Sequence, residues 1–89
     1  MDKIICFIDM FRLHSRVYVR NEETEQMSLV GEIPLAELET KIADTCFAAH
    51  TNHVMLIGAP TYAEGIVPAI KEYALTKYNN NDLVVEVLL

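Results

Sequence analysis

Cysteine, glycine, proline and basic residues are all scarce in this chain. Of 89 residues, two are cysteine, three glycine, three proline and seven lysine or arginine, against thirteen acidic residues. Two cysteines exclude the disulfide framework that staples many small secreted domains. Cys6 and Cys46 each sit in an apolar stretch, where a thiol behaves as a small buried hydrophobe. A zinc site would have to recruit His14, His50 or His53, and no CxxC or HxxxH spacing supports one. The deficit of bases leaves a net charge of −6. That argues against a dedicated nucleic-acid binder, whose affinity comes mainly from cations meeting phosphates. Long apolar runs are missing as well. Ile4-Ile5-Cys6-Phe7-Ile8 is broken by Asp9, far short of the ~18 to 20 apolar residues of a membrane span. No signal-peptide pattern opens the chain, so the expectation is a soluble, cytoplasmic protein without membrane contact.

What is present is a folding composition, with 52% hydrophobic and 22% charged residues. The length allows a single domain, 1–89, around one core. A domain of this size buries only ~60% of its unfolded surface and is marginally stable. With disulfide and metal set aside, the remaining staple is a partner.

Residues 3–9, KIICFID, form a continuous apolar run, as in a central strand buried on both faces. Residues 13–20, LHSRVYVR, alternate: Leu13, Ser15, Val17 and Val19 on one face, His14, Arg16, Tyr18 and Arg20 on the other. After the polar connection 21–25, QMSLVGEI alternates again, with Met27, Leu29 and Ile33 on one side. The three segments predict an antiparallel meander. Pro34 then opens a helix whose stripe is Leu35, Leu38, Ile42, Cys46 and Ala49, with acids clustered early. His53–Gly58 reads as a second buried strand. Thr61 and Glu64 fit a capping box before a second helix carrying Ile66, Val67, Ile70, Tyr73, Ala74 and Tyr78. Pro68 leaves two starts open for that helix, near Tyr62 or near Val67. Asp82–Leu89 is a last strand. The class is α/β, a five-stranded mixed sheet in the order β-β-β-α-β-α-β.

That order in that length resembles the core of the RNase H-like superfamily, which includes RNases H, Holliday-junction resolvases, transposase cores and actin-like ATPase halves. The resemblance is topological and covers almost the whole chain. It implies a sheet order 3-2-1-4-5 with strand 2 antiparallel to the rest. In the resolvases, too, the first strand carries an acid, here Asp9 in FIDM, and a strand–helix–strand unit like VMLIGAP…AIKEYALTKY…DLVVEVL follows. The family's nucleases hold two Mg²⁺ ions with about four carboxylates. Asp9 matches the first-strand ligand; RNases H also take a glutamate from the first helix, where Glu37 or Glu39 could serve. Gly58-Ala59 stands where the fourth strand brings an acid. One matched ligand does not hold two metals. The turn Asp9-Met10-Phe11-Arg12 also lacks the glycine-rich phosphate loop of the actin-like members.

Three candidate sites follow. Asp9 is either a metal ligand or the cap of a turn and a partner for Arg12. Gly58-Ala59-Pro60-Thr61 joins a strand to a helix, the default ligand position in open α/β sheets, but without the glycines and lysine of a P-loop. His14, Arg16, Tyr18 and Arg20 make a basic, aromatic face able to stack bases and meet phosphates, or to be balanced by Glu22, Glu23 and Glu25. Taken together, the residues favour a small non-catalytic protein that binds another macromolecule and needs no cofactor. In size and acidity it resembles accessory proteins of phages and mobile elements. The alternatives are a metal-dependent nuclease using Asp9 with Mg²⁺, and a nucleotide-binding module using the 58–61 loop.

Handedness adds a partner expectation. Both parallel crossovers step the same way across the sheet, and right-handed connections put both helices on one face. The first and last strands are apolar on both sides, and no further helix follows to cover the second face. A homodimer joined through that open face is the expectation, with a different protein as the alternative partner.

Overall fold

The computed structural model describes residues 2–89. Its strands are β1 (Asp2–Asp9), β2 (His14–Asn21), β3 (Met27–Pro34), β4 (His53–Ile57) and β5 (Val84–Leu88). Its helices are α1 (Leu38–Ala49), entered through a 3₁₀ turn at Leu35–Glu37, and α2 (Pro60–Tyr78). The five strands form one mixed sheet in the order β3-β2-β1-β4-β5. β1 pairs antiparallel with β2 from Asp2↔Asn21 to Asp9↔His14, and parallel with β4 from Ile4↔Val54 to Phe7↔Ile57. β2–β3 is antiparallel and β4–β5 parallel, so β2 alone runs against the others. β1 is central, and Ile4, Ile5, Cys6 and Ile8 are all buried, but Phe7 is 42% exposed, so the expected burial on both faces is met only in part.

Local chemistry sets the turns. The Asp9 carboxylate accepts hydrogen bonds from the backbone N–H groups of Phe11 (3.0 Å) and Arg12 (3.1 Å), and Leu13 closes the turn in the left-handed region at φ 60°. Leu13 therefore belongs to the turn, exposed, and β2 begins one residue later than the alternation suggests. Asn21 repeats the device, accepting from Glu23 (2.9 Å) and Thr24 (3.1 Å).

β3 departs from simple alternation. Val17 faces Gly31 while Tyr18 faces Leu29, so Val30 is an extra residue in a β-bulge. Leu29 consequently shares a face with Tyr18, whereas Ile33, opposite Ser15, turns to the other face and is buried. The expectation that Met27, Leu29 and Ile33 share one side holds only up to the bulge. Pro34 is both the last residue of β3 and the N-cap of the 3₁₀ turn that leads into α1, so it opens the helical segment one turn ahead of the α-helix itself.

α1 buries Leu38, Ile42, Ala43 and Cys46 and ends at His50 in the left-handed conformation. α2 starts at Pro60, earlier than either expected start, and runs on through Pro68. Proline is suited to the first helical position because its missing N–H would be unpaired there. The Thr61–Glu64 capping box does not form, since Thr61 already lies inside the helix and Ala59 (φ 46°) precedes it. Both helices pack on one face of the sheet, where Ile4, Cys6, Val17, Val54 and Leu56 meet Leu38, Ile42, Ile66 and Ile70 in a single core. Each fully buried Leu or Ile contributes about 1.5–3 kcal/mol of transfer free energy. No helix among the described residues is long and apolar enough to cross a membrane.

Candidate interaction surface

Side chains of successive strand residues point to opposite faces, so a sheet with both helices on one side presents every second residue on the other. Among the described residues nothing covers that second face. An apolar band crosses all five strands there: Leu29 on β3, Tyr18 on β2, Phe7 on β1, Ile57 on β4 and Leu88 on β5. Leu29 is 58% exposed, Leu88 51% and Phe7 42%. Phe7 and Tyr18 meet edge to face, ring centroids 5.8 Å apart. Ile5, at the centre, is only 4% exposed because its neighbours on the same face close over it.

Ion pairs fringe the band. Arg16 Nε lies 3.1 Å from Glu32 Oε1, and Arg20 reaches both Glu22 (3.4 Å) and Glu25 (3.3 Å). Lys3 pairs with Glu22 at 3.5 Å, and His53 Nε2 is hydrogen-bonded to Glu86. That bond with His53 holds the Glu86 carboxyl below the usual carboxylate range, and the bond to Glu32 raises the Arg16 guanidinium. The strand residues of this face include three bases, Lys3, Arg16 and Arg20, and three acids, Asp9, Glu32 and Glu86. The strand residues of this face are thus balanced, and the turn acids Glu22 and Glu25, which pair with Lys3 and Arg20 at its rim, leave it mildly acidic in a chain of net charge −6.

The structure brings His14, Arg16, Tyr18 and Arg20 together on this face, as the alternation predicts, but their chemistry differs from a nucleic-acid platform. Both arginines are already answered by carboxylates, so a phosphate would have to displace them. The Tyr18 ring is turned to Phe7. His14 Nδ1 is buried and has no hydrogen-bond partner among the described residues.

Asp9 is held by its turn, with Arg12 Nε 3.9 Å from its second oxygen. Glu37 lies in the exposed 3₁₀ turn. No group of three or more His, Cys, Asp or Glu side chains among the described residues is placed to share a metal ion. The Gly58–Thr61 loop is tight: Gly58 has φ 86°, Ala59 follows at φ 46°, and the loop backbone lies against the carbonyl of Ile8. Pro60 removes one of the backbone N–H groups that an anion at this helix end would use. Cys6 and Cys46 are free and buried, and burial raises their thiols to about 11 and about 12.

One cluster has no signature in the sequence. Asp44 on α1 accepts hydrogen bonds from Tyr73 (3.3 Å), Lys77 (3.2 Å) and Tyr78 on α2, and Phe47 stacks on Tyr78 at 4.2 Å. Partial burial pushes the Asp44 carboxyl up, but the bonds from Tyr78, Lys77 and Tyr73 outweigh it and leave the group below its ordinary range. This is an interhelical clasp, far from the open face.

Compared with protein-family models, with curated proteins and with solved structures, the chain matches none.

Proposed function

We propose that this protein is a non-catalytic interaction module of RNase H-like topology that acts as a homodimer through its open sheet face. The observation that carries the reading is the apolar band across all five strands, bare of helix and fringed by ion pairs. The strand order with β2 alone reversed supports the RNase H-like topology. Gly58 and Ala59 at the end of β4, and the capture of Asp9 in its turn, support a binding role over metal-dependent cleavage.

A second copy suits the face electrostatically. Two chains of net charge −6 repel least where charge is most nearly balanced, and on the open face every base is matched by a carboxylate with only a small acidic excess at its rim. Its size also suits a small dimer. Five strands at ~4.8 Å spacing and about six residues at ~3.3 Å make a plane of roughly 500 Å² in projection. Corrugated by side chains, that approaches the ~600 Å² per partner of the smaller stable interfaces.

Sedimentation equilibrium at micromolar concentration tests the proposal. The expected mass is twice 10.1 kDa, falling to 10.1 kDa in Phe7→Glu, which puts a charge into the band. A soluble wild-type monomer, or a Phe7→Glu dimer as tight as wild type, overturns it.

A further inference from the structure

The face proposed for the dimer leaves both edges of the sheet open, and the two edges differ. β5 is five residues long; β3 is eight. Edge strands usually blunt their free backbone groups with charge, proline or brevity. β3 is long, and its one such device in mid-strand is the bulge at Val30, which interrupts the edge without closing it. Met27-Ser28-Leu29-Val30-Gly31 carries no charge, and Pro34 comes only at its last residue. Val30 is 47% exposed.

A groove of about 610 Å³ runs beside this edge, between β3 and the outer side of α1. Val19, Val30 and Gly31 line it from the sheet and Ala48 from the helix, while Glu32, Glu37 and Asp44 with one cation, Lys41, give it a net acidic rim. Gly31 offers no side chain and an added Cβ there would meet nothing within 4 Å, so the groove is open against the strand backbone. The bulge gives the groove its apolar wall, because the extra residue is Val30. An edge strand facing a helix across an open channel is an arrangement by which an extended peptide can add a strand to a sheet. The main chain then supplies affinity and alternate side chains enter the channel.

Charge selects the occupant. Carboxylates stand at both ends of β3: Glu22, Glu23 and Glu25 in the turn before it, Glu32 and Glu37 at its far end. Glu23 and Glu37 have no ion pair among the described residues. A second copy would fit poorly. Antiparallel pairing of two β3 strands about Leu29 sets the acidic turn of each copy beside Glu32 and Glu37 of the other, and bulge against bulge. We propose that the β3–α1 groove binds an extended partner peptide as a sixth strand, apolar in its middle and bearing Lys or Arg at its ends.

The test uses the full chain labelled with ¹⁵N and a short synthetic peptide of alternating Thr and Val between lysine pairs. Titration is expected to shift the amide resonances of residues 27–33 and of the α1 side of the groove. Methylating alternate backbone nitrogens of the peptide, or exchanging its lysines for glutamates, should weaken binding by about tenfold or more. Ala48→Gln, an exposed change to a good helix former, should fill the channel and weaken binding similarly while leaving the rest of the spectrum unchanged. Three results would each overturn the proposal: no shifts on β3, equal binding by the methylated or glutamate peptides, or shifts centred on Phe7, Tyr18 and Leu88 of the open face.

Discussion

Gly58→Ala should be among the most damaging single-methyl additions in this protein. An added Cβ at Gly58 would lie 2.7 Å from the carbonyl oxygen of Ile8, a backbone atom that cannot swing aside. The residue also sits at φ 86°, where a side chain costs about 1–2 kcal/mol. Relief of the clash needs a backbone shift, and forced overpacking costs typically about 1–3 kcal/mol. Together these give about 2–5 kcal/mol, against a total of roughly 4–13 kcal/mol for 89 residues. At about 4–8 °C per kcal/mol for a domain of this size, Tm should fall by at least ~8 °C. The other two glycines are internal controls, because an added Cβ at either meets nothing within 4 Å. Gly65, inside α2, should gain about 0.5–1 kcal/mol on substitution by alanine, since glycine is the poorer helix former. Gly31→Ala on the edge strand should change little. Circular dichroism melts and urea titrations of the three variants give the comparison. If Gly58→Ala melts with wild type, the β4–α2 loop does not press on β1 and the described packing is wrong there.

Leu38→Ala and Ile42→Ala, both fully buried, should each cost about 2–5 kcal/mol in urea unfolding, and wild-type midpoints would show that α1 is not seated on the sheet. Cys6 and Cys46 should resist a polar thiol reagent in the native protein, their thiols being raised to about 11 and about 12 by burial; rapid labelling of either contradicts its placement. Because Asp44 titrates below its unfolded range, its clasp should stabilise fully above pH ~4 and fade as pH falls through the lowered value. The stability gap between wild type and Asp44→Asn should thus be open at pH 7 and narrow in acid; a gap that widens in acid would reverse the assigned sign.

Much of this fold is readable from residue periodicity because its elements are locally consistent. The unalternating run of β1 marks the central strand, though its burial on both faces holds only for Ile5, since Phe7 is 42% exposed on the open face; the alternation of β2 sorts Val17 from Arg16 and Tyr18 as the sheet does. The bulge was not readable. One inserted residue leaves the composition of QMSLVGEI unchanged, and it inverts the side on which Ile33 lies. The start of α2 is not legible because Thr61 and Glu64 have capping spacing, while Pro60, the residue that does open the helix, is equally at home in a turn. The His14–Arg20 face was found by alternation, but its chemistry was not: Glu32, which neutralises Arg16, is sixteen positions away and meets it only through strand pairing. Asp44 is silent for the same reason, since its three donors belong to another helix.

The central position of β1 divides the sheet by the length of chain each ladder must close. Across β1–β2, Ile5 meets Tyr18, thirteen positions on; across β1–β4, Ile4 meets Val54, fifty positions on. Loop-closure entropy grows as the logarithm of that separation, so the second ladder costs about 1 kcal/mol more to bring together. The near ladder is antiparallel and joined by a four-residue turn, while the far one is parallel and waits on α1. β1 is thus a seam between a hairpin that its own sequence neighbours can form and a half-sheet that only the completed core can hold in register.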